Sequence, residues 1–321
     1  MKKNIIKISK KINILVVGDL MLDEYLHGNV NRISPEAPVP IVKLEKKSYF
    51  LGGAGNVSCN ISSLGATSNI VGIIGQDQNS KKITSILNKK KIKKELLISS
   101  SKYTTITKSR VVSMGQQVIR LDDEENFMLS QATKKKIIKR IKDNIKRFNC
   151  IVISDYGKGT CGEELIFELI QISNFNNIPV FIDPRKKNKN FNIYKNSFCI
   201  TPNMNELNSV YQNVNNIDKE ILFCSLDIKK KYNIKNVVVT RGDKGISILD
   251  NNNKFFSFKS NAKEVYDVSG AGDTVIATLA TLYCTNMNIV NATKISNLAA
   301  SLSVSYRGTH SITKKELLNI I

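Results

Sequence analysis

The amino-acid sequence predicts an α/β fold, doubly wound around a mostly parallel central sheet, with a small second β-sheet. Short apolar segments alternate with segments of helical periodicity from Ile12 to the C-terminus, the order typical of parallel strands joined by helices. Three apolar segments, residues 12–17, 151–154 and 180–182, are each followed closely by an aspartate. Parallel topology brings the carboxyl ends of such strands to one edge, where ligands bind. We therefore expect a single domain over residues 1–321 with its site at that edge.

The composition provides a large core and an excess of positive charge. Hydrophobic residues make up 41% of the chain, and 48 Lys and Arg against 27 Asp and Glu give a formal net charge of +21. Such a charge suits an anionic partner: nucleic acid, a membrane surface or a phosphorylated metabolite. However, Lys, Asn and Ile are abundant throughout and Trp is absent. A general compositional bias therefore explains the charge better than a local binding surface does.

Two lysine-rich segments, residues 80–94 and 133–147, carry apolar residues at helical spacing. Neither contains an aromatic residue among its charges, as a nucleic-acid-binding surface commonly does. We interpret both as solvated amphipathic helices, and we expect no nucleic-acid partner.

The remaining composition predicts a soluble, cytoplasmic protein. The six cysteines are scattered without a C-x-x-C pair, which favours reduced thiols, and the presence of only two histidines argues against a zinc site. Gly18-Asp19 ends the first apolar segment after six residues, which fits a buried strand better than a signal peptide. Residues 274–293 lack charge, but their Asn and Thr content makes a poor membrane span.

Two regions outside the main strand-helix alternation predict the small sheet. Residues 31–40 contain three of the six prolines and should be extended, and residues 41–44 alternate like a strand. Residues 103–121 are also strand-like. We expect strands within about 20–45 and 103–121 to pair outside the main sheet.

The segment Gly270-Ala271-Gly272-Asp273 leads into an apolar, alanine-rich helix. Small residues before a helix N-terminus expose backbone N–H groups and the positive end of the helix dipole, which together bind anions. A carboxylate at an anion site suggests chemistry, since Asp273 could take a proton from a hydroxyl that attacks a bound phosphoryl group. An ordinary acid near a helix cap after a glycine turn fits the spacing equally well.

Other candidate binding residues precede this segment. Asp19 and Asp23 follow the first strand and could bind hydroxyls, although a plain turn residue is as good an interpretation for Asp19 and a better one for Asp23. Gly52 and Gly53 would let a ligand approach the backbone, and Asn56 offers both a donor and an acceptor. A glycine cluster before a helix is by itself a weak signal.

Asp267 to Asp273, Asp-Val-Ser-Gly-Ala-Gly-Asp, resembles the D-T-x-G-A-G-D signature of the ribokinase-like (PfkB) carbohydrate kinases. The resemblance implies that Asp273 is the catalytic base and that the amides of Gly270, Ala271 and Gly272 form the anion hole. It also implies a sugar pocket at Gly52, Gly53 and Asn56, with Asn60 one turn further along. The small sheet would be a lid over the sugar and the interface of a homodimer.

Two motifs resemble the nucleotide side of this family. Asn203-x-x-Glu206 is similar to the N-x-x-E motif, which implies Mg²⁺ held through waters, although an Asn cap with an acid in the first helical turn explains it alone. Thr240, Gly242 and Gly245 match T-x-G-x-x-G, which implies contact with ATP. ATP and Mg²⁺ are thus the expected cofactors.

Within the family, residues 18–23, 32–40, 116–117 with 120–122, and 154–159 resemble the branch that phosphorylates D-glycero-β-D-manno-heptose 7-phosphate at C1, for ADP-heptose and the lipopolysaccharide core. The residues expected to bind this substrate are Asp19, Asp23, Arg32, Gly52, Gly53, Asn56, Gln117, Arg120, Asp155, Lys158 and Arg185. Another sugar or sugar-phosphate kinase of the family stays an alternative. A nucleic-acid-binding protein would explain the charge but would give Asp273, Asn203 and Glu206 no function. We also expect no C-terminal nucleotidyltransferase domain.

Overall fold

The computed structural model describes residues 1–125, 127–185, 189–262, 264–306 and 308–321. The strands are β1 (Asn13–Gly18), β2 (Leu20–Ile33), β3 (Pro40–Gly53), β4 (Thr67–Val71), β5 (Ile73–Ile74), β6 (Ile98–Ser99), β7 (Thr107–Ser113), β8 (Gln116–Asp123), β9 (Cys150–Ser154), β10 (Val180–Asp183), β11 (Cys199–Ile200), β12 (Asn236–Thr240), β13 (Ile246–Leu249) and β14 (Phe255–Phe258). The helices are α1 (Lys2–Ile6), α2 (Ala54–Ser63), α3 (Gln78–Lys89), α4 (Gln131–Asn144), α5 (Glu163–Phe175), α6 (Met204–Tyr211), α7 (Asp218–Tyr232), α8 (Ala271–Tyr283), α9 (Ile289–Ser303) and α10 (Lys314–Asn319).

The main sheet has eight strands in the order β14-β13-β12-β11-β10-β9-β1-β4. The strands from β12 to β4 run parallel to their neighbours, and β13 and β14 add an antiparallel edge. The parallel strands are continuous apolar segments because helices cover both faces of the sheet. Along β1, Ile14 and Val16 pack into one apolar layer, while Leu15 and Val17 pack into the other. The predicted doubly wound α/β fold is confirmed.

Helix α8 lies in the first of these layers with α2 and α9, and nearly all of its side chains are buried. This burial explains the long uncharged segment of the sequence, because a helix packed on all sides has no polar face. In the described part of the chain, no helix combines the length and apolarity that crossing a membrane requires.

The small sheet has four strands in the order β3-β2-β7-β8. Strand β2 pairs antiparallel with β3 and parallel with β7. The composition of the proline-rich segment predicted an extended chain over residues 31–40, but only part of it is extended. Instead, residues 34–39 turn, and the Ser34 N–H donates to the Val39 carbonyl at 2.8 Å. Proline suits such a turn because its φ is already restricted and its missing N–H is not needed there.

Register in the small sheet decides which side chains share a face. Asp23 lies opposite Phe50 on β3 and Lys108 on β7, and Tyr25 lies opposite Arg110. Because side chains alternate between faces, these residues lie on the same side of the sheet. We call this side the inner face.

Most of the two lysine-rich segments lies in α3 and α4, with mostly exposed lysines and buried apolar positions, as predicted, but α3 ends at Lys89 and residues 90–94 lie beyond it. All six cysteines are free, and five of them are buried.

Candidate active site

Asp273 lies in the first turn of α8 and is 3% exposed. The chain enters this helix through Gly270, whose φ of +79° lies in the left-handed region. A Cβ on Gly270 would also lie 2.4 Å from Asn56 Nδ2. Both the backbone conformation and the close approach of Asn56 therefore require glycine at this position.

Two side chains hold the Asp273 carboxylate. Asn56 Nδ2 donates to Oδ2 at 2.8 Å, and the Tyr156 hydroxyl donates to Oδ1 at 3.1 Å. Burial raises the pKa of Asp273 to about 7, against the lowering effect of these two hydrogen bonds. A carboxyl group with a pKa near neutrality suits a general base, because it is ionised in part and still basic.

The predicted anion hole combines occupied and open groups. The Ala271 N–H donates to the Val268 carbonyl at 3.2 Å, and the Gly270 carbonyl accepts from Thr274. Gly272 is exposed, and a Cβ built on it would meet no atom within 4 Å. The space beside the first turn of α8 is thus open, where the helix dipole favours an anion.

The loop before α8 is tied to the small sheet. Asp267 accepts hydrogen bonds from the Ser269 N–H at 2.8 Å, the Gly308 N–H at 3.1 Å and the Tyr25 hydroxyl at 3.4 Å. The first aspartate of the signature therefore shapes the loop, whereas the last one, Asp273, lies beside the open space.

The inner face of the small sheet brings charged groups toward Asp273. Asp23 forms an ion pair with Arg110, 2.5 Å between Oδ1 and Nη1, and a Cβ on Gly52 would lie 2.5 Å from Asp23 Oδ2. Burial lowers the pKa of Lys108, against the opposing effect of Asp23. Lys108 and Arg110 were missed from the sequence, although their spacing on a strand-like segment would have placed both on one face.

Asp19, predicted as a hydroxyl binder, is engaged by backbone N–H groups in this structure. Its carboxylate is fully buried and accepts hydrogen bonds from the backbone N–H groups of Tyr156 at 3.2 Å, Lys158 at 2.9 Å and Thr160 at 2.9 Å. Gly53 packs beside it, since a Cβ on Gly53 would lie 2.5 Å from the Asp19 carbonyl oxygen. Asp19 therefore anchors the loop of residues 156–160, as the plain structural interpretation of a strand-end aspartate requires.

Asp155 is likewise committed to structure. It accepts from the Gly157 N–H at 2.9 Å and the Tyr194 hydroxyl at 2.8 Å, and Arg185 lies 3.8 Å away. Burial raises its pKa to about 6. The third strand-end aspartate, Asp183, differs in having two other acids nearby. Burial, Glu206 and Asp273 together raise its pKa well above the ordinary value.

Three cations among the predicted substrate-binding residues, Arg120, Lys158 and Arg185, are each paired with a carboxylate. Lys158 pairs with Glu124, which follows β8, and Arg120 chelates Asp122 with N–O distances of 2.8 and 2.9 Å. Arg185 pairs with Asp155 and with Glu163, the latter at 3.5 Å.

Two predicted sugar-binding residues lie toward the outer part of the small sheet. Arg32 is exposed and is nine positions along β2 from Asp23, on the order of 30 Å in an extended strand. Gln117 is exposed on β8, opposite Val112. Arg32 therefore lies at the outer end of β2, far along the strand from Asp23.

Asn203 and Glu206 form a capping box at the start of α6. Asn203 Oδ1 accepts from the Glu206 N–H at 3.0 Å, and the two Glu206 oxygens accept from the Asn203 backbone N–H at 2.8 Å and from its Nδ2 at 2.6 Å. The simpler interpretation of the motif, a helix cap, is therefore realised. In the described residues, no group of three or more His, Cys, Asp or Glu side chains is arranged to hold a metal ion.

The second nucleotide motif lies beside this cap. Thr240 forms a bridge with Asn203, and the turn after it returns the chain at Gly245. Gly245 has a φ of +91°, and a Cβ there would lie 2.1 Å from the Phe258 carbonyl oxygen, whereas a Cβ on Gly242 would meet nothing within 4 Å. Buried Arg241 was missed from the sequence; it secures the turn through Asn216 Oδ1 at 2.7 Å and Ser247 Oγ at 2.8 Å.

Comparison with known proteins decides the family. The sequence profile of the pfkB family carbohydrate kinases matches residues 11–316. The chain belongs to this family. It is an ATP-dependent carbohydrate kinase, and Asp273 lies in the first turn of α8.

Relatives and solved structures agree with this placement. The chain is 41% identical to the bifunctional protein HldE of Aliarcobacter butzleri over 97% of its own length, and 38% identical to HldE of Haemophilus influenzae over the same share. It spans 64% of the length of each of these relatives. The fold of the kinase is that of phosphofructokinase-2 from Escherichia coli in complex with substrates and products, with a TM-score of 0.80, 16% identity, and coverage of 96% and 98% of the two chains.

Proposed function

We propose that this kinase transfers the γ-phosphoryl group of ATP to the C1 hydroxyl of D-glycero-β-D-manno-heptose 7-phosphate, in ADP-heptose and lipopolysaccharide core synthesis in the cytoplasm. The observation that carries the transfer is the buried Asp273, with a pKa of about 7, beside the open first turn of α8. The choice of sugar is supported by the resemblance of residues 18–23, 32–40 and 154–159 and by the likeness to HldE.

The transfer needs one base and one anion site. Asp273 takes the proton from the C1 hydroxyl as its oxygen attacks the γ-phosphorus; the new O–P bond forms, the bond to the β-phosphate oxygen breaks, and ADP leaves. N–H groups at the first turn of α8, around Gly272, stabilise the transferring phosphoryl group. Thr240 and Gly242 line the nucleotide side of this space.

Mg²⁺ fits the acids on the nucleotide side. Asp183 and Glu206 lie close enough for Glu206 to raise the Asp183 pKa. A divalent cation between two such carboxyl groups would stabilise their ionised forms. Asn203 and Glu206 would hold the ion through waters, since Mg²⁺ keeps several of its waters in proteins. When bound, it supplies positive charge against the ATP phosphates.

The 7-phosphate of the sugar requires cations away from Asp273. Arg110 and Lys108 lie on the inner face of the small sheet, and Arg120 lies opposite Arg110 on β8. Lys158 approaches from the loop that Asp19 anchors. Arg110, Arg120 and Lys158 are paired with Asp23, Asp122 and Glu124 respectively, and a bound phosphate would replace those carboxylates with its own oxygens.

Phosphorus and proton NMR of the product tests the substrate. With ATP, Mg²⁺ and heptose 7-phosphate we expect a new anomeric phosphate that couples to the C1 proton. Ribose and fructose 1-phosphate serve as competitors at equal concentration. Faster reaction of either competitor would rule out the heptose assignment and leave the kinase assignment in place.

We also propose that a second copy of the chain covers the outer face of the small sheet. Strand β8 is an edge strand whose residues are all exposed, and Ile119 and Leu121, which are 51% and 54% exposed, lie on the face opposite Arg120. An unpaired strand edge with an apolar face is suited to pairing with its own copy.

Leu121→Asp is expected to convert a dimer to a monomer in sedimentation equilibrium, because it places a charge in the apolar interface. Phe223→Asp, at a 70% exposed position on α7, is the matched control and should leave the dimer intact. A wild-type chain that sediments as a monomer would refute this interface.

A further inference from the structure

Tyr156 connects the base to a different part of the fold. Its hydroxyl donates to Asp273 Oδ1 at 3.1 Å, and its ring packs over Gly53, where a Cβ would lie 3.5 Å from Tyr156 Cδ2. Burial, with the nearby Asp273, raises the pKa of the Tyr156 phenol well above its ordinary value. The phenol therefore stays protonated and acts as a donor.

The backbone of Tyr156 is held as firmly as its side chain. Asp19 accepts from three N–H groups of residues 156–160, at 2.9 to 3.2 Å, and lies fully buried at the junction of β1 and β2. Hydrogen bonds to a buried carboxylate are charge-assisted and stronger than neutral ones. Asp19 thus fixes the loop from which the Tyr156 side chain reaches Asp273.

We propose that Tyr156 is a positioning residue for the base: its hydroxyl keeps the Asp273 carboxylate oriented and ionised, and Asp19 holds Tyr156 in place through the loop backbone. This role rests on the proposed function, in which Asp273 takes the proton from the sugar hydroxyl.

The hydrogen bonds to Asp273 leave room for the substrate. A carboxylate offers about four lone-pair sites, and Asn56 and Tyr156 each occupy one, on different oxygens. The remaining sites can accept the C1 hydroxyl without displacing either donor. Two donors on different oxygens also restrict rotation of the carboxylate plane.

Some of the charged groups that face Asp273 raise its pKa and others lower it. Asp23 on β2 raises the Asp273 pKa and Lys108 on β7 lowers it, while Asp183 on β10 is close enough for Asp273 to raise its pKa. The hydrogen bonds from Asn56 and Tyr156 lower the Asp273 pKa from the value that burial alone would give. Loss of the Tyr156 hydroxyl therefore raises that pKa above about 7, and a larger fraction of the base is protonated at neutral pH.

The pH dependence of turnover at saturating substrates tests this role. For Tyr156→Phe we expect the acidic limb of the profile to move upward by about one pH unit, the size of one charge-assisted hydrogen bond. Turnover should fall roughly tenfold near pH 6 and little above about pH 9. Asp19→Asn should move the limb in the same direction, and combining it with Tyr156→Phe should add little further shift.

Tyr232→Phe is the matched control. Its hydroxyl is also buried and has no hydrogen-bond partner among the described residues, so its loss should leave the profile unchanged. A Tyr156→Phe limb that coincides with that of the wild type, while Asp273→Asn is inactive, would overturn the positioning role alone. Full activity of Asp273→Asn would instead remove the proposed base. If Asp19→Asn fails to fold, the pH profile of Tyr156→Phe and the activity of Asp273→Asn are sufficient to test the proposal.

Discussion

Asp273→Asn is expected to lower turnover by about 10² to 10⁴-fold while ATP and sugar phosphate still bind, because an amide cannot accept the hydroxyl proton. The substitution keeps the shape of the side chain, so the hydrogen bond from Tyr156 and the packing of α8 are largely preserved. Turnover is measured at saturating substrates, and binding of each substrate is measured by calorimetry.

The pH profile of the wild-type enzyme provides a second check on the same residue. Because burial raises the pKa of Asp273 from 3.8 to about 7, activity should fall as the pH drops below about 7 and the base becomes protonated. Asp250→Asn is the control for Asp273→Asn and should leave turnover unchanged, since Asp250 is a buried acid in the turn between β13 and β14. A folded Asp273→Asn enzyme with near-normal turnover would contradict the assignment of the base.

Lys158→Ala is expected to lower kcat/KM for heptose 7-phosphate by about 10 to 100-fold, while the value for unphosphorylated heptose changes little. Losing one charge-assisted contact costs about 1.5–3 kcal/mol, and each factor of ten corresponds to about 1.4 kcal/mol. Arg120→Ala should act in the same direction with a smaller effect, because the Arg120 side chain is 49% exposed and that of Lys158 only 28%.

Lys134→Ala is the matched control for this comparison. Its ammonium group also pairs with a glutamate, Glu164, at 3.0 Å, but lies on α4 outside the inner face. It should leave the preference for the phosphorylated sugar unchanged. Equal losses with both sugars for Lys158→Ala would show that Lys158 supports the loop and does not bind the phosphate.

The outline of the fold and the glycine entry into α8 depend on residues that are close together in the chain. The continuous apolar residues of β1 indicate a buried strand, and the glycines before α8 permit the left-handed φ of Gly270. Both features can be recognised from neighbouring residue types without knowledge of the tertiary structure. The sequence therefore sufficed to predict the α/β fold, whereas for Asp273 the local pattern left a helix-cap acid as an equal interpretation and the resemblance to the family favoured a base. The proline-rich segment was predicted less well, because prolines suit extended chain and turn alike.

The roles of the other acids were decided by the tertiary structure. The sequence favoured a turn role more strongly for Asp23 than for Asp19, yet Asp19 is satisfied by backbone N–H groups from residues 156–160 and Asp23 by Arg110 of β7. The periodicity of the sequence does not predict which distant donor is hydrogen-bonded to a given carboxylate in the folded protein. Tyr156 was overlooked for the same reason, since it lies 117 positions before Asp273.

The sequence by itself thus determined the strand-helix order, the strands of the small sheet and the glycine entry into α8, all of which are set by local backbone preference and side-chain periodicity. Only the tertiary structure decided that Asp19 anchors a loop, that Lys108 and Arg110 join the inner face, and that Asp273 has a pKa of about 7. The physical reason is that desolvation and hydrogen bonding depend on groups within a few ångströms, and folding brings those groups together from distant parts of the chain.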